Sequence, residues 1–209
     1  MSIEAISWRR RLPPGVLGLG CACLVATGLQ ATGVAGAADL ASAPPEPADY
    51  RMDHYRSPTP LTLEGARVIE TAALLAMPAG DRPILIDTTP LVRSGLTDFD
   101  GTWIKTAERW NLPESLWLPN VGYGYLDPTV QAFFAEQLAK ATGGDPERPI
   151  LFYCYLDCWM SWNAAKRALE MGYQQVYWYP SGSDGWRDAG EPLVLGEPVP
   201  LILEQETAR

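Results

Sequence analysis

Short, almost uninterrupted apolar runs alternate with stretches whose apolar residues recur at helical spacing. Ile84-Leu85-Ile86 closes on Asp87, and Ile150-Leu151-Phe152-Tyr153 closes on Cys154. Runs of this length, bounded by Pro and Gly, read as strands buried on both faces. Ala66–Ile69, Ser115–Pro119 and Gln175–Tyr179 extend the set. Between them, Thr71–Met77, Thr129–Thr142 and Ser161–Met171 carry the 3.6-residue period of helices. Gly143-Gly144 and Gly172 stop the last two. Gly182–Gly190 reads as a turn-rich segment around Trp186, and the tail carries Pro192, Pro198 and Pro200. Strands alternating with helices predict an α/β fold: a parallel central sheet with helices on both faces. In such sheets sites form at the carboxyl ends of the strands. Cys154 and Asp87 both end strands, so both are expected on one rim.

Composition fits a globular chain, with 47% hydrophobic residues in 209. Eight Trp and nine Tyr promise aromatic packing. The formal net charge is −9. Residues 1–37 hold Arg9, Arg10, Arg11 and one acid, Glu4; removing that +2 leaves a remainder near −11. Such a surface repels phosphate backbones and argues against nucleic-acid binding. The three arginines, the uncharged small-residue stretch Val16–Val34 and Ala35-Gly36-Ala37 have the form of an export signal cleaved before Ala38. A retained anchor is the alternative, and no stable span is expected once the signal is removed. Cys21 and Cys23 fall within this segment. Residues 38–60, rich in Pro and Ala, read as a linker, ordered only near Tyr50–Arg56. The globular domain is placed at 61–193 and a C-terminal tail at 194–209. His54, the single histidine, excludes a Ser-His-Asp triad and a histidine-rich metal site. There is no Walker loop, no Gly-x-Gly-x-x-Gly and no haem-attachment motif, so no metal and no organic cofactor are expected.

Two cysteines remain after export, Cys154 and Cys158, four apart. The strand-end position of Cys154, facing the start of a helix, favours a thiolate through backbone N–H groups and the helix dipole. The order Ile84–Asp87, Pro113–Pro119, Leu151–Cys154, Ser161-Trp162-Asn163-Ala164-Ala165, Gly172-Tyr173 and Gly185-Trp186 resembles a rhodanese domain. A narrower stretch, Cys154 through Ala168 with Trp178-Tyr179-Pro180 and Gly182–Trp186, is similar to rhodanese-like proteins associated with pyrroloquinoline quinone-dependent catabolism. That group is named for a CXXCW motif, whereas three residues separate the cysteines here. The resemblance implies a sulfurtransferase of rhodanese type, or an accessory module with no turnover of its own. It implies a monomer in the periplasm, with a small sulfur compound or a periplasmic redox protein, a quinoprotein dehydrogenase or c-type cytochrome, as partner.

The resemblance places Cys154 as the reactive thiol, with Tyr155, Leu156, Asp157, Trp159, Met160 and Ser161 forming its substrate loop, and adds Cys158 and Asp87 to the catalytic set. The loop is one residue longer than in rhodaneses, and Met160 stands where they place an arginine. A dianion in such a loop needs a bidentate cation, which argues against phosphatase action and weakens thiosulfate as donor. Three roles stay open for the pair: a persulfide on Cys154 resolved by Cys158, a reversible disulfide that exchanges electrons with another protein, or a structural disulfide. Two thiolates also suffice for a soft ion such as Cu(I). Asp157 and Asp87 can orient a proton or simply accept loop hydrogen bonds. Trp159 and Trp162 can wall an organic ligand or pack the core.

Overall fold

The computed structural model describes residues 43–93 and 103–201. The export-signal reading, with Cys21 and Cys23, lies outside the described residues. Nine strands and four α-helices follow one another among those described. They are β1 (Arg67–Val68), α1 (Thr71–Ala76), β2 (Ile84–Asp87), β3 (Val92–Arg93), β4 (Trp103–Ile104), β5 (Trp110–Asn111), β6 (Leu116–Trp117), α2 (Pro128–Thr142), β7 (Ile150–Tyr153), α3 (Trp159–Glu170), β8 (Val176–Tyr179), α4 (Gly182–Asp188) and β9 (Val194–Leu195).

The central sheet has the order β1-β8-β7-β2-β6, and every pairing in it is parallel. Register puts Asp87 beside Tyr153 and Tyr153 beside Tyr179, so these strands end level with one another. Their alternation splits the core in two. Ile86, Ile150, Phe152, Val176 and Trp178 face α2 and α3, meeting Phe133, Phe134 and Trp162. Leu85, Leu151, Tyr153 and Tyr179 face the other way, onto Leu74 of α1 and Trp186 of α4. A strand covered on both faces has no polar positions, which is why these runs are uniformly apolar.

Helix α2 starts where Asp127 accepts the amides of Thr129 and Val130, with Pro128 at the first helical position. It ends at Gly143, which takes the left-handed conformation (φ +68°). Helix α3 begins at Trp159, two residues ahead of the expected Ser161, with Cys158 at its N-cap. The segment expected as turns is helix α4 instead. Its glycines mark close approaches rather than a turn: a Cβ on Gly182 (φ +54°) would collide with the carbonyl of Cys154.

The stretch read as a linker packs against the domain. Glu46 accepts hydrogen bonds from Thr62 and from the amide of Glu64. The Arg51 amide donates to the Asn163 side chain, which donates back to the Arg51 carbonyl. At the opposite side, Pro198 bridges Trp117, and the amide of Val199 donates to the Trp117 carbonyl at 2.9 Å, so the tail closes the β6 edge. Among the described residues no helix is long and apolar enough to cross a membrane.

Candidate active site

Strand β7 delivers Cys154 to the rim, and the loop returns Cys158 to the mouth of α3. Both sulfurs are buried and unbridged, and they hydrogen-bond to each other. The carbonyl of Cys154 is fastened by the amide of Ser183 at 2.9 Å, by Nη2 of Arg109 at 3.2 Å and by the Ser183 hydroxyl at 3.3 Å. Its sulfur lies 3.5 Å from the Thr89 hydroxyl. Asp157 turns the loop in a left-handed conformation (φ +53°), and the Leu156 amide is held by the Asp184 carboxylate at 3.0 Å.

The two thiols are not equivalent. Burial pushes Cys154 well above an ordinary thiol, and the hydrogen bond it donates to Cys158 adds to that. Cys158 moves the other way: the Cys154 hydrogen bond, the amides of Met160 and Tyr155 and the nearby Arg56 together outweigh its burial. Loop amides were expected around Cys154; those of Met160 and Tyr155 act on Cys158. The reason lies in the strand end. The Cys154 backbone continues β7 and is tied down by its carbonyl, whereas Cys158 occupies the helix N-cap, where free N–H groups point.

A cavity of about 400 Å³ opens over this pair. Its walls include Tyr55, Thr89, Leu91, Trp117, Tyr155 and Met160, with Arg56, Glu108 and Arg109 contributing charge. Of the expected loop residues, Tyr155 and Met160 line it. Leu156 and Asp157 face outward. Trp159 is buried, donating from Nε1 to Ser57 Oγ and the Pro58 carbonyl, both at 3.1 Å. Ser161 turns inward, donating to the Cys158 carbonyl and accepting from Trp178 Nε1. Trp159 and Trp162 pack edge-to-face in the core. Leu156, Asp157, Trp159 and Ser161 thus support the loop rather than wall the cavity.

Asp87 sits on the rim beside Cys154, as expected, but outside the cavity lining. It is buried and accepts Arg109 Nε at 2.8 Å and Nη2 at 2.7 Å, and the Thr89 amide at 2.8 Å. Burial pushes its carboxyl up, against the pull of Arg109 and Thr89. Its carboxylate holds the Arg109 guanidinium in place. Arg109 is the residue that sequence reasoning missed. It is buried, donates from Nη1 to the Ser183 hydroxyl at 2.9 Å, and stacks 4.2 Å from the Tyr155 ring centroid. Arg56 covers the same ring at 4.7 Å. The sequence signal for Arg109 was indirect: a buried carboxylate at the end of an apolar strand requires a cation.

The rhodanese-like domain model matches residues 71–189, more than half of the sequence. This chain belongs to the rhodanese-like family. Rhodanese-like folds support thiol chemistry and sulfur transfer in general. No match to a curated protein was found. Among solved structures, the rhodanese-like domain is similar to the polysulfide-sulfur transferase homodimer of Wolinella succinogenes, at 18% identity and TM-score 0.38 over 62% of this chain and 79% of that one. It is similar to a thiosulfate sulfurtransferase from Pseudomonas aeruginosa, at 16% identity and TM-score 0.40 over 64% of this chain and 21% of that one. It is also similar to EanB in complex with hercynine, at 19% identity and TM-score 0.41 over 64% and 32%.

Proposed function

We propose that this rhodanese-like protein carries sulfane sulfur on its cysteine pair. The observation that supports it is the placement of the pair: two buried, unbridged thiols line one cavity, with Cys158 at the N-cap of α3. Cys158, as thiolate, attacks the outer sulfur of a small donor. Its persulfide passes the sulfur to an acceptor thiol. Cys154 supplies the hydrogen bond that holds the thiolate, and it can resolve the persulfide: its sulfur displaces hydrosulfide and leaves a Cys154–Cys158 disulfide. This division of labour inverts the one expected from the rhodanese pattern, in which Cys154 attacks.

The test is intact mass after exposure to sulfane-sulfur donors. Loading adds about 32 Da for one sulfur, and disulfide closure removes about 2 Da. Cys158→Ser should lower the loading rate by at least about 100-fold, as loss of a nucleophile does. Cys154→Ser should still load but give no disulfide. Loss of loading in Cys154→Ser alone would return the attack to Cys154.

The adjacent thiols also favour a second reading, a redox module that exchanges a Cys154–Cys158 disulfide with a partner protein and turns over no sulfur. It predicts closure without a persulfide stage. For either reading we place the protein in the periplasm, beside pyrroloquinoline quinone-dependent alcohol catabolism and its quinoprotein dehydrogenases or c-type cytochromes. The support is the arginine-led apolar N-terminus and the sequence around Cys154–Ala168. Sequencing the exported form should find Ala38 first, and growth on alcohols should fail when Cys158 is replaced.

A further inference from the structure

The loop amides and the Arg109 guanidinium are already engaged. The amides of Tyr155 and Met160 point at Cys158, that of Leu156 at Asp184, and that of Trp159 at the Tyr55 carbonyl, 2.9 Å away. Arg109 spends its nitrogens on Asp87, Ser183 and the Cys154 carbonyl. The cradle that would hold a compact dianion is therefore filled from within. Its stopper is the stretch ahead of the matched domain: Tyr55 and Arg56 lie against the loop, with Arg56 bridged to Cys158. Tyr55 is itself held by the Gly124 amide and packs edge-to-face on Tyr123 at 5.2 Å. Most of the remaining wall is apolar or aromatic, Pro90, Leu91, Ala107, Trp117 and Met160, with Thr89 and Thr106 adding hydroxyls. At the rim the exposed charges oppose one another, Arg56 against Glu108. A concave, mostly apolar pocket with a few fixed polar groups is the usual form of a site for an organic small molecule, in the range of about 300–1,000 Å³.

We propose that the sulfur donor is an organic persulfide, R–S–SH, whose R group is an uncharged apolar or aromatic body seated between Tyr55, Leu91 and Trp117, and that thiosulfate is a poor donor. The proposal rests on the sulfur-carrying reading above. Cys158–S⁻ attacks the outer sulfur of R–S–SH. The donor's S–S bond breaks, a new S–S bond forms to Cys158, and the proton stays on the transferred sulfur. The electron pair leaves on R–S⁻, giving Cys158–S–SH with no net oxidation. The apolar pocket then holds R–S⁻ until it leaves or is protonated.

The probes are the persulfide of thiophenol, thiosulfate and inorganic hydrodisulfide, with loading of the full chain followed by intact mass and release of thiophenol followed by absorbance. The aryl persulfide is expected to load at least about tenfold faster than thiosulfate, a difference of about 1.4 kcal/mol. Ala107→Trp, which crowds the mouth at an exposed position, should lower the ratio of aryl to hydrodisulfide loading about tenfold. Thiosulfate loading as fast as the aryl donor, or a ratio unmoved by Ala107→Trp, overturns the proposal. A separate readout, quenching of tryptophan fluorescence by the non-reactive thioether thioanisole, isolates the pocket from the chemistry. Binding that Ala107→Trp weakens, with no donor loading any cysteine, sinks the sulfur-carrying reading and leaves an apolar ligand pocket. Absence of both binding and loading sinks both.

Discussion

At the scale of single residues, the two buried sulfurs are displaced in opposite directions from an ordinary thiol. Three donors and a guanidinium together lower Cys158, whereas burial raises Cys154 by more than the Thr89 hydroxyl relieves. The sign follows: a thiol whose folded value lies below its ordinary one reacts at lower pH than a free cysteine. Alkylation of Cys158 by iodoacetamide should therefore reach half-maximal rate below pH 9, the ordinary thiol value. Cys154→Ala removes the first of the stabilising hydrogen bonds and should move that midpoint upward, which stopped-flow or mass-resolved labelling will show. Unchanged midpoints would mean that the pair is uncoupled. Sequence alone named both cysteines and ranked Cys154 first by its strand-end position, the reverse of the proposed order. Their ranking depends on where Arg56 and the amides of Tyr155 and Met160 point, and spacing does not encode that. Asp87 was equally visible as a strand-ending acid, but its partner Arg109 sits in a stretch with no periodicity and is joined to it only by folding.

Elements were legible wherever both faces of a strand are covered, because continuous apolar runs leave no other reading. Strands β2 and β7 match their sequence runs residue for residue. Helix α4 was not legible, since Gly182, Ser183, Asp184 and Gly185 look like a turn. Gly182 and Gly185 are there because neighbouring atoms come too close for a Cβ, and the ion pair Arg187–Asp184 at 3.0 Å then spans one helical turn. The Ser183 amide, next to Gly182, joins α4 to the cysteine loop by donating to the Cys154 carbonyl. Gly182→Ala must relieve both a left-handed backbone and a collision, and should cost about 1–3 kcal/mol. The checking measurement is a lower urea midpoint at unchanged m-value. It should also slow sulfur loading, since the carbonyl it displaces orients the loop. The segment around Tyr55 was half legible: its aromatic residues promised order, but its prolines hid that it completes a wall of the cavity.

For the molecule as a whole, the sheet is parallel and covered on both faces, and its two edges differ. Strand β1 is two residues long and presents little to a neighbour. The β6 edge is another matter, because its outward carbonyl at Trp117 is occupied by Val199 and its flank by Pro198. A form shortened to end at Gly196 should expose that edge and shift toward dimers in sedimentation velocity as concentration rises, with the full chain as reference. The same fastening has a further meaning for the cavity. Trp117 is at once the strand residue that the tail clasps and a wall beside the cysteines, and its indole N–H is anchored on the Thr89 carbonyl at 2.7 Å. Proteolytic nicking near residue 198 would thus act at a distance, loosening the indole and detuning donor selection while the sulfurs themselves stay in place.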